Sequence, residues 1–308
     1  MTATTIPENH EPGPLLGLGS SEVLCVTQRR TPADIVAEAL DRYKPVRVFA
    51  GLSGGNGSVP AVHWAMNNVP GCEVMHLNTG IGVERGRQWA RDLCKAQGWP
   101  LHEIRALEDC GQDYDALVRQ YGFPGPDGHA LMYQRLKERC IWELMRRAKQ
   151  GHPRSAKVLF ITGIRHADSI VRTGYVGREV NKYRGQVWAN PLYWWTNEEN
   201  EAYRAASGIG RNPVADQLGM SGECGCGAFA QRGELKRWEA VDPSFGVRIR
   251  NLEAECMARG FTWGWEGRPP KGGFNADQGT LDLPQMPLCT NCVKSAVVQA
   301  ELADEVNS

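Results

Sequence analysis

The chain has 308 residues, with 35 Lys+Arg set against 35 Asp+Glu, so its formal net charge is zero. That length can bury a full core and hold one large domain with an appendage, or two domains. The balanced charge removes any global electrostatic case for a nucleic-acid or membrane binder and leaves only a local basic patch.

No apolar stretch approaches the roughly 20 residues of a membrane span, so no membrane partner is expected. Residues 1–30 read as an irregular arm, polar and rich in acids and prolines. The arm lacks a basic segment followed by an apolar one, so the expectation is a cytoplasmic chain whose ten cysteines are reduced. A helix follows, with Thr31 as N-cap, Pro32 in its first turn and Ile35, Val36, Ala39, Leu40 and Tyr43 on one face.

Val46 to Ala50 is a short apolar run that reads as a buried strand. Next come Gly51 to Ser58, a loop of small residues, and then a helix over Val59 to Met66 that Ser58 can cap. Strand, glycine loop and helix N-terminus together make an anion site. Gly54 and Gly55 let several N–H groups converge, and the helix dipole favours negative charge. The Walker pattern is excluded, because it needs a longer glycine loop and a Lys-Ser/Thr pair.

Cys72 to Leu77 reads as a second strand ending in Asn78-Thr79-Gly80, Arg85 to Gln97 as a helix, and Leu101 to Arg105 as a third strand. Strands alternating with helices predict a parallel α/β sheet, in which ligands sit beyond the carboxyl ends of the strands. The glycine loop and Asn78-Thr79-Gly80 both lie at such ends. Gly111 to Tyr121 is expected to be helical, and His129 to Lys149 to form one long helix carrying Arg135 and Lys137 near its start. Lys157 to Thr162 is a buried strand running into Gly163-Ile164-Arg165, with Ser169 and Arg172 beyond. Two arginines past a strand end suit a polyphosphate or sulfate, and equally suit loop-to-loop ion pairs. Val187 to Leu192 reads as a strand, and Thr196 with Glu199 as a capping box.

From about residue 206 glycines, breakers and cysteines rise. Two helical patterns follow, 233–241 and 244–259, and then a loop-rich tail. The expected division is an arm at 1–30, an α/β nucleotide-binding domain at 31–205 and a cysteine-bearing appendage at 206–308. Cys224-x-Cys226 and Cys289-x-x-Cys292 are the close cysteine pairs. Four thiolates suit either a tetrahedral zinc or a [4Fe–4S] cluster. The other six cysteines lie in apolar or helical contexts and read as core. Of the tryptophans, Trp188, Trp194, Trp195, Trp238, Trp263 and Trp265 cluster late and read chiefly as packing.

Four segments in order, Ser53-Gly54-Gly55-Asn56-Gly57-Ser58, Asn78-Thr79-Gly80, Tyr133-Gln134-Arg135-Leu136-Lys137 and Gly163-Ile164-Arg165 with Ser169 and Arg172, resemble the phosphoadenosine phosphosulfate (PAPS) reductase family in its broad sense. The first is similar to the PP-loop of ATP pyrophosphatases, Ser-Gly-Gly-x-Asp-Ser. The resemblance covers about residues 45–230. It implies a doubly wound parallel sheet of the adenine-nucleotide α-hydrolase kind, ATP with Mg²⁺, and a [4Fe–4S] cluster, with Zn²⁺ as the alternative, on Cys224, Cys226, Cys289 and Cys292. Ser53, Gly54, Gly55, Asn56, Gly57, Ser58, Asn78, Thr79, Gly80 and Gly163 would bind the nucleotide, and Lys137, Arg165 and Arg172 would neutralise charge developing in the reaction.

The activity implied is an ATP pyrophosphatase that adenylates an acceptor for sulfur or amine transfer. The partners implied are an adenine nucleotide, a nucleobase or nucleic-acid acceptor, a cysteine desulfurase or other sulfur donor, and a second copy in a homodimer. Two departures stand out. Gly57 occupies the place of the PP-loop Asp, which weakens the ATP site and admits an inert nucleotide-binding scaffold. Glu223-Cys224-Gly225 is followed by Cys226, unlike the Glu-Cys-Gly-x-His segment of the sulfonucleotide reductases, which counts against a reductase.

Overall fold

A computed structural model describes residues 29–168 and 178–267. Cys25, Ser169, Arg172, Cys289 and Cys292 therefore lie outside the described residues.

The first helix, α1 (Pro32–Tyr43), starts at the predicted N-cap Thr31, which forms a capping box with Asp34, each accepting from the other's backbone N–H. β1 (Arg47–Gly51), α2 (Ser58–Asn68), β2 (Cys72–Asn78), α3 (Glu84–Gln97) and β3 (Leu101–Arg105) then alternate as expected. Two short helices, α4 (Ala106–Cys110) and α5 (Tyr114–Tyr121), lead to α6 (His129–Tyr133). The helix predicted over 129–149 is interrupted. Gln134–Glu138 is π-helical, and α7 (Arg139–Ala148) resumes the regular pitch. Such widened turns occur where a side chain must be re-aimed, and Lys137 lies in this one.

β4 (Val158–Ile161) and β6 (Gln186–Ala189) complete the parallel sheet, and the short β5 (Val180–Tyr183), not anticipated from sequence, runs antiparallel at the edge. The strand order is β3-β2-β1-β4-β6-β5. Connections run one way from β1 to β2 and β3, and the other way from β1 to β4 and β6. This is the doubly wound parallel sheet expected from the sequence. Its order reverses between β1 and β4, the place at which sheets of this kind bind ligands, beyond the carboxyl ends of the strands.

Strand periodicity sorts the side chains to two faces. Val48, Ala50, Leu159, Ile161, Val187 and Ala189 face a core shared with α1, α2 and α3. Phe49, Val158, Phe160 and Trp188 face the opposite core with Leu136, Cys140 and Leu144. In that second core Phe160 stacks on Trp188 at 4.7 Å and on Phe49 at 6.1 Å between ring centroids.

The later helices, α8 (Asn197–Ser207), α9 (Pro213–Leu218), α10 (Glu234–Val241) and α11 (Pro243–Ala258), follow the sheet. Trp238, Phe245, Ile249, Leu252 and Trp265 belong to the same core as Phe49 and Phe160, so the described part of the cysteine-bearing region is continuous with the α/β core. Among the described residues, no helix is long and apolar enough to cross a membrane.

Replacing Phe160 with Ala removes the ring that joins β1 to β6 through the buried stack. The expected cost is about 3–5 kcal/mol. Urea unfolding followed by fluorescence and circular dichroism measures it.

Candidate nucleotide and thiol site

The glycine loop closes the carboxyl end of β1. Gly54 takes φ 78°, in the left-handed region, and a Cβ there would stand 2.8 Å from the Asn212 side-chain nitrogen. Within the loop, Ser58 and Val59 donate their backbone N–H to the Gly55 carbonyl at 3.1 and 3.3 Å. The predicted Ser58 cap is not formed. Gly57 is the N-cap of α2 and makes no side-chain cap bond, and the Ser58 hydroxyl turns back to the Gly55 carbonyl at 3.1 Å.

Later parts of the chain hold the loop from outside. Asn212 Nδ2 donates to the Gly54 carbonyl at 3.1 Å. Arg204 Nη2 and Asn200 Nδ2 donate to the Asn56 carbonyl at 2.5 and 3.4 Å. Side chains from the later helices thus fix the carbonyls of Gly54 and Asn56, and with them the entry to α2.

Gly57 and Gly163 pack against each other. A Cβ on Gly57 would lie 2.9 Å from the Gly163 carbonyl oxygen, and a Cβ on Gly163 would overlap the Gly57 carbonyl. The absence of the PP-loop Asp is therefore more than a missing carboxylate: the backbone leaving β4 occupies the room its Cβ needs. Nearby, Asp168 pairs with Arg165, and Asp216 pairs with Arg211 and meets the Asn56 side chain. The loop segment itself, Ser53 to Ser58, contains no carboxylate to offer Mg²⁺.

Arg165 is buried, and its charge is engaged. Nη2 donates to Asp168 Oδ1 at 2.6 Å and to Asn197 Oδ1 at 3.0 Å, and Nη1 to the Thr196 carbonyl at 3.0 Å. It ties the exit of β4 to the start of α8. Asn78 is likewise occupied: its Nδ2 donates to Glu103 Oε1 at 2.8 Å, and its Oδ1 accepts the Gly80 N–H at 3.0 Å.

Thr79 leads to a residue that sequence reasoning gave no role of its own, Glu223. The Thr79 N–H donates to Glu223 Oε1 at 2.7 Å, and its hydroxyl donates to the Glu223 carbonyl at 2.8 Å. Arg87, on α3, donates through Nε to Glu223 Oε2 at 2.9 Å, and His76 Nε2 stands 3.7 Å from the same oxygen. Burial alone would raise the Glu223 pKa. The nearby His76 imidazole and the charge of Arg87 outweigh it and hold the carboxyl at about 2.

Glu223 fixes the loop that carries the cysteines. Trp265 Nε1 donates to the Gly225 carbonyl at 2.8 Å, and the Tyr114 hydroxyl donates to the Cys226 carbonyl at 2.9 Å. With those carbonyls pinned, Cys224 and Cys226 line a cavity shared with Lys137, His129, Tyr133 and Thr79. A hydrogen bond from Cys226, joined by the Lys137 and His129 charges, holds the Cys224 thiol well below its usual range against the opposing effect of burial. Cys226 is pushed well above its own.

Two adjacent thiols on one cavity fit half of a four-thiolate site, and Cys289 and Cys292 lie outside the described residues. Among the described residues no group of three or more His, Cys, Asp or Glu side chains is placed to hold a metal. Cys72, Cys94, Cys140 and Cys256 are buried core residues, as expected, and Cys110 is half-buried.

Ser221 packs on Gly55, where a Cβ would meet the Ser221 Cβ at 3.3 Å, and Cys224 follows three residues later. The structure sets the glycine loop against Gly163 and Ser221, and groups Thr79, Lys137, Cys224 and Cys226 around one cavity. Sequence reasoning missed Glu223, Arg87, His76, Asn200, Arg204 and Asn212. Only Glu223, adjacent to Cys224 in the Glu-Cys-Gly segment, left a trace in the motifs.

No protein-family model and no curated protein matches the chain. Among solved structures it is similar to a PAPS reductase from Candida auris in its phosphate complex, at 14% identity and TM-score 0.45, covering 62% of this chain and 86% of that one. It is also similar to the U34-tRNA thiolase NcsA from Methanococcus maripaludis with its [4Fe-4S] cluster, at 12% identity and TM-score 0.36, covering 77% and 82%. A third is the NH3-dependent NAD synthetase from Campylobacter jejuni subsp. jejuni in complex with nitrate, at 16% identity and TM-score 0.39, covering 75% and 93%.

Two stability outcomes follow from this geometry. Glu223→Gln leaves the Arg87 guanidinium buried without its carboxylate, at an expected cost of about 3–5 kcal/mol at neutral pH. Because the Glu223 pKa lies below its ordinary 4.5, its contribution is complete above about pH 4.5 and is lost as pH falls toward 2. The gap between wild type and variant should therefore shrink with acid, as chemical denaturation from pH 7 to pH 3 would show. Gly163→Ala forces the two loops apart and should cost about 1–3 kcal/mol, read from the same unfolding curves; an unchanged midpoint would refute the close packing.

Proposed function

We propose that the protein is an ATP pyrophosphatase of the PP-loop type, in which sulfur chemistry takes place beside the nucleotide site. The observation that supports this reading is the contact of Gly55 with Ser221, three residues before Cys224, together with the Thr79–Glu223 hydrogen bond that holds the cysteine loop at the end of β2.

An oxygen of the acceptor would attack the α-phosphorus of ATP. The bond to the pyrophosphate oxygen would break, and pyrophosphate would leave with the bonding pair. Gly54, Gly55 and Ser58 would hold the phosphates at the N-terminus of α2, where the dipole and the N–H groups oppose their charge. Asn78 would shape the turn after β2 through its bonds to Glu103 and Gly80, and Thr79 would lock that turn to Glu223. Arg165 serves this reading as the prop that positions the β4 exit against Gly57. Lys137 would supply a cation at the cavity, and Arg172 is proposed as a second. Removing a preorganised charge of this kind typically costs on the order of 10²–10³ in rate.

Cys224, Cys226, Cys289 and Cys292 would hold a [4Fe–4S] cluster, or a zinc ion. The cluster would fasten the tail to this edge and present sulfur chemistry there, whereas zinc would only fasten it. A nucleobase, free or in nucleic acid, is the proposed acceptor class, with a sulfur donor as the further partner.

A second reading, reduction of an adenylylated sulfate, is favoured by one observation: Cys224 lines the same cavity as Lys137, whose charge favours the thiolate a sulfur nucleophile needs. One set of assays separates the two. Anaerobically purified protein is assayed for iron and sulfide, for pyrophosphate released from ATP, and for thiol-dependent sulfite from adenylylated sulfate. The expected result is about four irons per chain, lost in Cys289→Ser/Cys292→Ser. Pyrophosphate should appear, falling by on the order of 10²-fold in Lys137→Ala, with no sulfite. Sulfite formed without ATP would overturn the pyrophosphatase reading in favour of the reductase. ATP bound with neither product would make the protein a nucleotide-binding scaffold.

A further inference from the structure

We propose that Arg204 is an anion ligand of the glycine loop, taking a phosphoryl oxygen of the bound ligand beside the N-terminus of α2. The inference rests on the nucleotide reading above and adds a residue to it.

Arg204 projects from α8 and is only 4% exposed. Its Nη2 donates to the Asn56 carbonyl at 2.5 Å, which places the guanidinium against the residue that precedes the N-cap of α2. Its Nε and Nη1 are buried and make no hydrogen bond. The nearest carboxylate, Glu201 Oε2, stands 3.6 Å from Nε, beyond hydrogen-bond distance.

The acids around it are committed to another arginine. Arg211 takes Glu201 Oε2 at 2.7 Å through Nη1 and Asp216 Oδ1 at 2.8 Å through Nη2. Arg87, comparably buried, shows the contrast: its Nε and Nη2 reach Glu223, and its Nη1 reaches Glu84. A buried cation with two donors lacking acceptors is costly unless a ligand supplies them. An arginine fork suits phosphate oxygens. Arg204 thus brings a full charge to a loop whose other contribution is backbone N–H groups and a helix dipole. It stands where Gly57 supplies no side chain.

The test is the affinity of the full-length protein for inorganic pyrophosphate and for ATP, measured by titration calorimetry on wild type, Arg204→Met and Arg204→Lys. Circular dichroism and thermal unfolding accompany each variant. Arg204→Met should weaken both ligands by about tenfold to a hundredfold, the range for a lost charge-assisted hydrogen bond. Arg204→Lys should recover part of that loss. The Nε–H resonance of Arg204, assigned by its disappearance in Arg204→Lys, should shift when pyrophosphate is added to wild type. That measurement carries the test even where Arg204→Met does not fold. Unaltered affinity in a folded Arg204→Met overturns the assignment and leaves the nucleotide reading standing. So does a lost affinity with the Arg204 resonance unmoved by pyrophosphate, which would make the side chain a prop for the Asn56 carbonyl. Wild type that binds neither ligand overturns both.

Discussion

Everything at this edge of the sheet depends on one buried carboxylate. Glu223 accepts the Thr79 N–H at the end of β2 and binds Arg87 from α3, and His76 lies within reach of it. Remote parts of the chain are thereby drawn to one point: the strand end, the helix that follows it and the cysteine loop. An isolated carboxylate here would be driven to the neutral form by desolvation. With a guanidinium and an imidazole beside it, the ionised form is the stable one, and its lone pairs are used to fix backbone. The cost of desolvating these charges is offset by Coulomb attraction only because the geometry is good, so the cluster specifies position more than it adds stability.

A second constraint acts through the lack of a side chain. Gly57 and Gly163 let the turns after β1 and β4 touch backbone to backbone at the point where the sheet changes direction. This closeness positions the N-terminus of α2 against the exit of β4. It also leaves no space for the carboxylate that PP-loop proteins place at the Gly57 position. An Asp at that position would require the backbone after β4 to move, so a single substitution would not simply rebuild the ordinary PP-loop.

The late part of the chain takes part in the site as well as following it. Asn200, Arg204 and Asn212 hold the carbonyl side of the glycine loop, Ser221 packs on Gly55, and Trp265 and Tyr114 hold the carbonyls of the cysteine loop. Trp238, Phe245 and Trp265 anchor this arrangement by stacking within the core that Phe160 and Trp188 also fill. The tryptophans grouped late in the sequence thus serve mainly as packing, and Trp265 Nε1 adds a specific bond to the Gly225 carbonyl.

Local chemistry was legible in the sequence. The N-cap at Thr31, the capping box at Thr196, the alternation of strands and helices, the glycine loop after β1 and the apolar run of β4 each depend on residues within a few positions of one another, and each formed. From these alone follow a parallel α/β sheet and a glycine loop at a strand's carboxyl end; the doubly wound order came from the family resemblance. Tertiary structure decided what acts across long separations. The π-helical turn at Lys137 arises inside a periodicity that reads as ordinary helix. Arg165 reads as a phosphate ligand until Asp168 and Asn197 are seen around it, and Arg204 carries no motif at all. Glu223 takes its partners Thr79 and Arg87 from more than a hundred residues away. Periodicity and capping are short-range properties of a chain; which charges are paired and which are left to meet a ligand depends on burial, and burial exists only once the chain has folded.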